Sequence, residues 1–476
     1  MLQQRARQMP EAPALVTPDR IISFAEYERM IREIADRLQE MDLGPGKRLA
    51  IWCRNRWELV VLLMACWYRE ILTAPLNPKL PIENLRMHLA TVQAHALIVE
   101  AELASALPPD WTIPLMELES LFASRKQPIV EGAWHHPDPE LTLIFTSGTT
   151  GEPRAACHTW ANHYYNARGA NQNIPFKVGD RWLLSLPLFH VGGLAIIFRA
   201  LLGGGAIVIP ENRAITPEII ERHQITHLSV VATQLQRFLQ EIPGPGYRSS
   251  LKCILTGGGP IPPHLIQQAL DLRPPLFTTY GSTEMGSQIT TTRPGDTLQQ
   301  LLTAGKPLPY REVHIAADGE ILVKGPTLFK GYWKEGQLDR PVDELGWFHT
   351  GDIGRWTIDG YLKVVGRKDN MFISGGENIQ PEEIEAMLLR LPGVKQALVV
   401  PVPHAEYGQR PVAFLEMNED APELDADRMR QLLRAFLPGF KIPDHFFPWP
   451  EKTEYMIKPN RKVFQKIAEE RLAEGD

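Results

Sequence analysis

Seven short apolar runs constrain this chain more than any other feature: LAIWC (49–53), ALIVE (96–100), LTLIFTS (141–147), WLLSLP (182–187), AIVIP (206–210), HLSVVAT (227–233) and KCILTGG (252–258). Each is continuously apolar rather than alternating, the pattern of a strand covered on both faces. Helix-like segments separate them, so the expected architecture is α/β, with parallel-rich layers and helices packed over the sheets. One helix reads clearly: Ser23 followed by Glu26 forms a capping box, Tyr27, Met30, Ile31, Ile34, Leu38 and Met41 line one face, and Gly44 marks a stop. At 476 residues the chain is too long for a single core, and two to three domains are expected.

From about residue 310 the texture changes to short, turn-punctuated β segments, with Asp318-Gly319 and Asp359-Gly360 as hairpin turns. Beyond Arg367 a smaller α+β unit follows, with a helix opened by Pro381, acidic residues Glu382, Glu383 and Glu385 in its first turn, and ALVVPVP as a strand. The acidic stretch from Glu416 to Asp427 reads as a solvated loop. These changes place a domain boundary near Gly366–Asp369, dividing a large N-terminal domain with a β-rich subdomain from a small C-terminal one.

Composition removes several function classes. The net charge of −6 gives no broad cationic surface for nucleic acid or anionic lipid. The longest apolar run, Leu59–Trp67, is nine residues, whereas a membrane-spanning helix needs about 20. The opening MLQQRARQMPEAP lacks the apolar stretch of a signal peptide. Cys53, Cys66, Cys157 and Cys253 show no CxxC spacing and fit reduced, buried thiols. A cytoplasmic protein with no membrane span and no nucleic-acid partner is expected.

Chemistry concentrates after the strand-like runs. Thr146-Ser147-Gly148-Thr149-Thr150-Gly151-Glu152-Pro153-Arg154 combines small residues, whose backbone N–H groups can converge on an anion, with several hydroxyl donors. It reads as a phosphate cradle or, alternatively, a Gly/Thr-rich surface turn; no Gly-Lys-Ser/Thr closes it, so it is not a Walker loop. Gly257-Gly258-Gly259-Pro260 ends another run, where backbone can approach a flat ring. Tyr280-Gly281-Ser282-Thr283-Glu284 offers an aromatic face, hydroxyls and a carboxylate within five residues. Gly351-Asp352, Gly366-Arg367 and Gly375-Gly376-Glu377-Asn378 follow; singly, each is also an ordinary turn.

In this order the motifs resemble the adenylate-forming superfamily of acyl-CoA synthetases, luciferases and nonribosomal adenylation domains, from about residue 10 to the C-terminus. The resemblance implies ATP, Mg²⁺ and CoA as co-substrates or cofactors and a small-molecule carboxylic acid as partner. It implies that Thr146, Ser147, Gly148, Thr149, Thr150, Gly151 and Arg154 hold the β- and γ-phosphates, with Arg154 standing where the family usually has lysine. Gly257, Gly258, Gly259 and Tyr280 would border adenine. Thr283 would bond the α-phosphate and Glu284 would hold Mg²⁺. Asp352, assisted by Arg367, would bind the ribose hydroxyls. The family closes with Gly-Lys-x-x-Arg; here Lys458 and Arg461 keep the spacing, Ile457 replaces the glycine, and Lys452 and Lys462 are rival lysines. A small domain, 370–476, would rotate about a hinge at 367–369, centred on Asp369, relative to domain 1–366. That rotation would replace Lys458 with the Ser374-Gly375-Gly376 loop of a pantetheine tunnel, though Gly375-Gly376 also suits a plain turn. Such enzymes often form homodimers.

Arg199 is the only formal charge between Leu188 and Leu202. It reads either as half of a structural ion pair, or as a chain reaching the surface, or as the partner of a second substrate carboxylate. The segments SLPLFHVGGLAIIFRALLGG, LTGGGPIPPHLIQQAL, TLFKGYW and EYGQRPVAF resemble the o-succinylbenzoate–CoA ligase subfamily, which serves menaquinone biosynthesis and whose substrate carries two carboxylates. That resemblance implies Arg199 against the ring carboxylate, with His190 and Ser282 beside the aromatic part; His190 also fits a satisfied core histidine. The implied catalytic set is Lys458, Thr283, Glu284 and His190. Other readings are a ligase for another aromatic or medium-chain acid, a P-loop phosphohydrolase or kinase, and a non-catalytic adenylate-binding protein.

Overall fold

The computed structural model describes residues 1–123, 137–146, 153–210, 214–244, 247, 249–334, 336–418, 421, 425–450 and 460–474. The chain divides into two units: Met1–Gly259, Gln268–Val313 and Val323–Phe348 make the first, and Pro260–Gln267, His314–Leu322 and His349–Asp476 the second.

All seven apolar runs are strands, distributed over two sheets of the first unit. In a nine-stranded sheet, Pro13–Val16, Ala206–Val208, Arg181–Leu183, His227–Val230, Cys253–Thr256 and Leu276–Ser282 are neighbours and mutually parallel. Antiparallel strands Ile21–Ser23 on one side, and Ser287–Thr291 with Lys306–Pro307 on the other, finish its edges. The eight-stranded sheet has a parallel core of Glu140–Thr146, Leu72–Leu76, Arg48–Trp52, Ala96–Val99 and Leu115–Glu117. Arg154–Thr159, Gly331–Lys334 and Gln337–Asp339 extend it antiparallel. The central strand Leu72–Leu76 escapes the apolar pattern because Thr73 and Pro75 interrupt it, although every position is buried.

The nine-residue apolar run lies in the helix Trp57–Tyr68 and is buried from Leu59 through Trp67. A helix apolar all round belongs inside a core, and Trp67 stacks on Phe198 at 5.0 Å while its Nε1 donates to Thr73 Oγ1 at 3.0 Å. Among the described residues no helix is long and apolar enough to cross a membrane. The helix Phe24–Glu40 buries Tyr27, Ile31, Ile34 and Leu38 as its spacing predicts. Its capping box is half made. Ser23 Oγ accepts from Glu26 N at 3.3 Å, but the Glu26 carboxylate turns outward to Arg20 at 3.1 Å. All four cysteines are unpaired thiols in the interior of the first unit, and burial pushes each well above its usual value.

A four-stranded sheet, in the order Glu312–Ile315, Glu320–Lys324, Phe348–Trp356 and Leu362–Arg367, accounts for the β-rich texture past residue 310. Both expected hairpin turns form, with Gly319 N bonded to Ala316 O and Gly360 N to Thr357 O. The chain then passes through the 3-10 turn Lys368–Asn370 into a hairpin, Phe372–Ser374 and Glu377–Ile379.

A three-stranded sheet of Val394–His404, Gly408–Met417 and His445–Pro448 completes the second unit. Its two faces follow the strand period of two. Val399, Ala413 and Leu415 pack with the helices Pro381–Leu388 and Ala426–Leu433, while Leu398, Val400, Val412 and Phe414 pack with Phe464 and Ala468 of the helix Arg461–Glu474. The acidic stretch is not simply a loop. Glu416 sits in a strand and pairs with Lys395, and Asp425 caps the helix Ala426–Leu433 by accepting from Asp427 N and Arg428 N.

Candidate active site

The strands Glu140–Thr146 and Arg154–Thr159 are antiparallel partners in register, with Thr146 opposite Arg154. The two stems of the Thr/Gly-rich loop are therefore held side by side. Ser147, Gly148, Thr149, Thr150 and Gly151 lie outside the described residues, as does Lys458. Arg154 is exposed, and its guanidinium lies 5.6 Å from the ring centroid of Tyr332. Tyr332 reaches this position because Gly331–Lys334 pairs with the same strand, with Tyr332 opposite Ala156. Its hydroxyl donates to Glu284 Oε1 at 2.5 Å. Burial and the Glu284 charge both push the phenol upward, so it stays a proton donor at neutral pH. The structure thus joins Arg154, Tyr332 and Glu284 into one group. The sequence offered only one sign of Tyr332, the segment GYW.

The Thr283–Gly286 turn is anchored from below. His158 Nε2 donates to Thr283 O at 2.7 Å, Gly286 N bonds the same carbonyl at 2.9 Å, and Asn166 Nδ2 donates to Met285 O at 2.9 Å. Phe329 N donates to Glu284 O at 2.7 Å, while Ser282 Oγ accepts from Met285 N at 3.3 Å. The backbone is spoken for, so the Thr283 and Glu284 side chains are held by a rigid frame. Thr278 closes the parallel part of its strand, next to Cys253–Thr256, whose end leads into Gly257, and Tyr280 lies two residues further on, paired antiparallel with Thr290. A Cβ on Gly257 would sit 2.6 Å from Thr279 Cγ2 and 2.8 Å from Thr279 O. Contact with the neighbouring strand alone therefore requires glycine there, while Gly258 and Gly259 are exposed.

Arg199 lies on the helix Val191–Gly203, one residue after Phe198, and is 1% exposed. That value removes the surface-reaching alternative. Its Nη2 donates to Gln288 Oε1 at 2.5 Å and its guanidinium stacks 5.0 Å over the Trp182 ring. It forms no ion pair with any carboxylate among the described residues, and its Nε has no acceptor there. Burial lowers its pKa to about 10, which leaves it cationic at neutral pH. His190 occupies the N-cap position of the same helix, half-buried, with its ring 4.5 Å from that of Phe189.

In the second unit, Asp352 and Arg367 are register partners on Phe348–Trp356 and Leu362–Arg367. Arg367 Nη1 donates to Asp352 Oδ1 at 3.3 Å and to Thr350 O at 2.8 Å, and Nη2 donates to Asp369 Oδ2 at 2.9 Å. Burial alone would lower the Arg367 pKa, but Asp369 and Asp352 outweigh it and the net shift is upward. One guanidinium thus ties the residue expected at the ribose to the residue expected at the hinge. Ser374, buried, precedes a two-residue hairpin loop in which Gly375 has φ +58° and Gly376 φ +87°. Two successive positive angles are the demand of a type I′ turn, which explains both glycines without a ligand. Arg461 is an anchor. It donates to Glu385 Oε1 at 2.6 Å, Glu385 Oε2 at 2.9 Å and Glu382 Oε1 at 3.1 Å, fixing the start of the last helix three residues after Lys458.

Among the described residues no cluster of three His, Cys, Asp or Glu side chains could hold a metal by itself. Glu284 still fits Mg²⁺, which is commonly bound by one or two carboxylates together with substrate phosphates rather than in an all-protein cage.

The chain matches the AMP-binding enzyme family over residues 2–333 and the AMP-binding enzyme C-terminal domain over residues 383–454. It belongs to the AMP-binding enzyme family. A 2-succinylbenzoate–CoA ligase of Bacillus licheniformis is 34% identical over 458 residues, covering 94% of each chain. Its Bacillus subtilis counterpart is 32% identical over 457 residues, covering 94% of this chain and 93% of its own. Among solved structures, the Bacillus subtilis o-succinylbenzoate CoA synthetase in complex with the acyl-adenylate intermediate OSB-AMP superposes with a TM-score of 0.87 at 32% identity, over 98% of this chain and 97% of that one. The same enzyme with ATP and magnesium ion gives 0.86 at 32% identity, over 97% and 98%.

His158 makes the anchoring of this turn testable by pH. Burial lowers its pKa from 6.5 to about 4. Between these values the unfolded chain holds the proton and the folded chain does not. Stability is therefore expected to fall on acidification through that window, by up to about 3 kcal/mol for this group. His227, also lowered to about 4 by burial, adds in the same direction. His158→Gln should flatten the dependence of the urea midpoint on pH between 6.5 and 4 relative to the parent.

Proposed function

We propose that this chain is an AMP-forming acid–CoA ligase that activates o-succinylbenzoate. ATP and the acid give acyl-adenylate and pyrophosphate; CoA then displaces AMP to give the thioester. The observation that carries the choice of acid is Arg199: a buried cation, unpaired with any carboxylate among the described residues, in a chain whose relatives are named for a dicarboxylate substrate. A plain fatty acid gains nothing from such a charge, whereas a ring carboxylate can take its unsatisfied Nε. His190 and Ser282 would lie beside the aromatic part.

In the first half-reaction a carboxylate oxygen of the succinyl arm attacks the α-phosphorus as the bond to pyrophosphate breaks. Two anions must approach, so the task is largely electrostatic. Lys458 supplies a cation at the reacting oxygens, the Thr283 hydroxyl donates to the α-phosphate, and Arg154 with the loop from Thr146 to Gly151 holds the β- and γ-phosphates. Glu284, with one oxygen fixed by Tyr332, would hold Mg²⁺, whose charge offsets that of the phosphates when bound. Gly257, Gly258, Gly259 and Tyr280 border adenine, and Asp352 accepts from the ribose hydroxyls, oriented by Arg367. In the second half-reaction the CoA thiolate attacks the acyl carbon and AMP leaves with the bonding pair. Domain 370–476 turns about 367–369 relative to 1–366, withdrawing Lys458 and bringing the Ser374-Gly375-Gly376 loop to the thiol arm. A cytoplasmic enzyme that forms homodimers and binds no nucleic acid completes this reading.

The first test is pyrophosphate release and thioester mass across o-succinylbenzoate, 4-oxo-4-phenylbutanoate (which lacks only the ring carboxylate), benzoate, cinnamates and fatty acids. Strong preference for o-succinylbenzoate is expected; turnover of a different acid would retain the mechanism and discard the substrate. Arg199→Leu should lower kcat/KM for o-succinylbenzoate about 100-fold, a loss of about 3 kcal/mol, and leave 4-oxo-4-phenylbutanoate almost unaffected. Uniform loss across acids would remove Arg199 from substrate choice. Lys458→Ala should lose most adenylation yet still convert supplied acyl-adenylate to thioester. Asp369→Pro, which fixes φ at the hinge, should show the reverse pattern in the same two assays. Equal loss of both half-reactions would sink either assignment.

A further inference from the structure

Two guanidinium groups are buried near one another in the first unit, Arg199 at 1% and Arg311 at 6% exposure, and neither pairs with a carboxylate among the described residues. The Arg199 charge adds to burial in lowering Arg311 to about 9. Arg311 is fully committed to backbone, donating to Gln288 O at 2.9 Å, Pro309 O at 2.7 Å and Asn166 O at 2.9 Å. Arg199 has one side-chain acceptor among the described residues, Gln288 Oε1. Gln288 therefore stands between the two cations, its main-chain oxygen on one and its side-chain oxygen on the other.

The direction of the Gln288 amide is not arbitrary. A guanidinium can only donate, so the amide oxygen and not the amide nitrogen must face Arg199. Gln288 Nε2 then donates to Thr291 Oγ1 at 2.7 Å, a hydroxyl that also bonds Thr279 Oγ1 at 2.9 Å. An amide oxygen satisfies a buried guanidinium geometrically without cancelling its charge. A carboxylate in the same place would neutralise it in a medium of low dielectric, where ion pairs are strong.

Resting on the reading of Arg199 proposed above, we infer that Gln288 is a positioning residue for substrate choice: it fixes the Arg199 guanidinium with a neutral acceptor and so reserves the cation for the second carboxylate of the substrate. Gln288→Glu places an acceptor of the same shape on Arg199 but forms an internal ion pair. Gln288→Met keeps the volume and removes the acceptor.

The experiment measures KM and kcat for o-succinylbenzoate, for 4-oxo-4-phenylbutanoate and for ATP in the parent, Gln288→Glu, Gln288→Met and Arg199→Leu. For Gln288→Glu the expected result is a rise of about 100-fold in KM for o-succinylbenzoate, reflecting loss of a charge-assisted contact, with kcat, KM for ATP and KM for 4-oxo-4-phenylbutanoate unchanged. For Gln288→Met the expected rise is about 10-fold and equally selective. Parent-like handling of o-succinylbenzoate by Gln288→Glu, while Arg199→Leu is selectively impaired, would overturn the role of Gln288 and keep that of Arg199. Equal impairment towards both acids in both Gln288 variants would make Gln288 merely structural and likewise overturn the inference. Unselective behaviour of Arg199→Leu would instead bring down the underlying reading.

Discussion

A parallel sheet must be covered on both faces, and that requirement orders the first unit. Strands that run the same way need helical crossovers between them, and their loops consequently gather beyond the strands' carboxyl ends. Thr146 ends Glu140–Thr146, Gly257 follows Cys253–Thr256, Tyr280 to Ser282 close Leu276–Ser282, and His190 lies beyond Arg181–Leu183. The chemistry-bearing residues are thus delivered by the same geometry that buries the strands. The helix Trp57–Tyr68, with no polar face over its middle nine residues, is part of the interior this construction demands.

What the sequence made legible follows from which interactions are local. Continuous apolar runs announced seven strands, and the Tyr27, Ile31, Ile34 and Leu38 spacing announced a buried helix face. The turns at Gly319 and Gly360 were readable because their geometry is set within four residues. Leu72–Leu76 was not, since its burial comes from neighbours on either side rather than from its own composition. The Glu26 half of the capping box failed for a similar reason, as Arg20 competes for the carboxylate. At the site, the motifs named Arg154 and Glu284, but Tyr332, which touches both, comes from a strand nearly 180 residues past the first. Gln288 and Arg311 carry no motif at all. Their importance lies in having a buried charge as neighbour, a property of the fold and not of spacing.

Arginines are held in two different ways, and the difference matters for the chemistry. In the second unit, Arg367, Arg410 and Arg461 each face carboxylates, so their cations are neutralised where they stand. These are fasteners, and Arg461 with Glu385 and Glu382 fixes the root of the last helix. In the first unit Arg199 and Arg311 are held, among the described residues, by neutral oxygens. Keeping such charges buried costs stability, a cost that makes sense where an anion is to be received.

The four cysteines of the first unit give the molecule a built-in clock. Their thiols are interior and far from the thiolate form at neutral pH, so an alkylating reagent can react only with conformations in which Cys53, Cys66, Cys157 or Cys253 has come into contact with solvent. Cys66 sits in the core helix, Cys157 on the strand that follows the Thr/Gly-rich loop, and Cys253 on the strand that leads into Gly257. Site-resolved labelling would therefore time the opening of three different regions of one unit in the unmodified chain, without a probe having to be introduced.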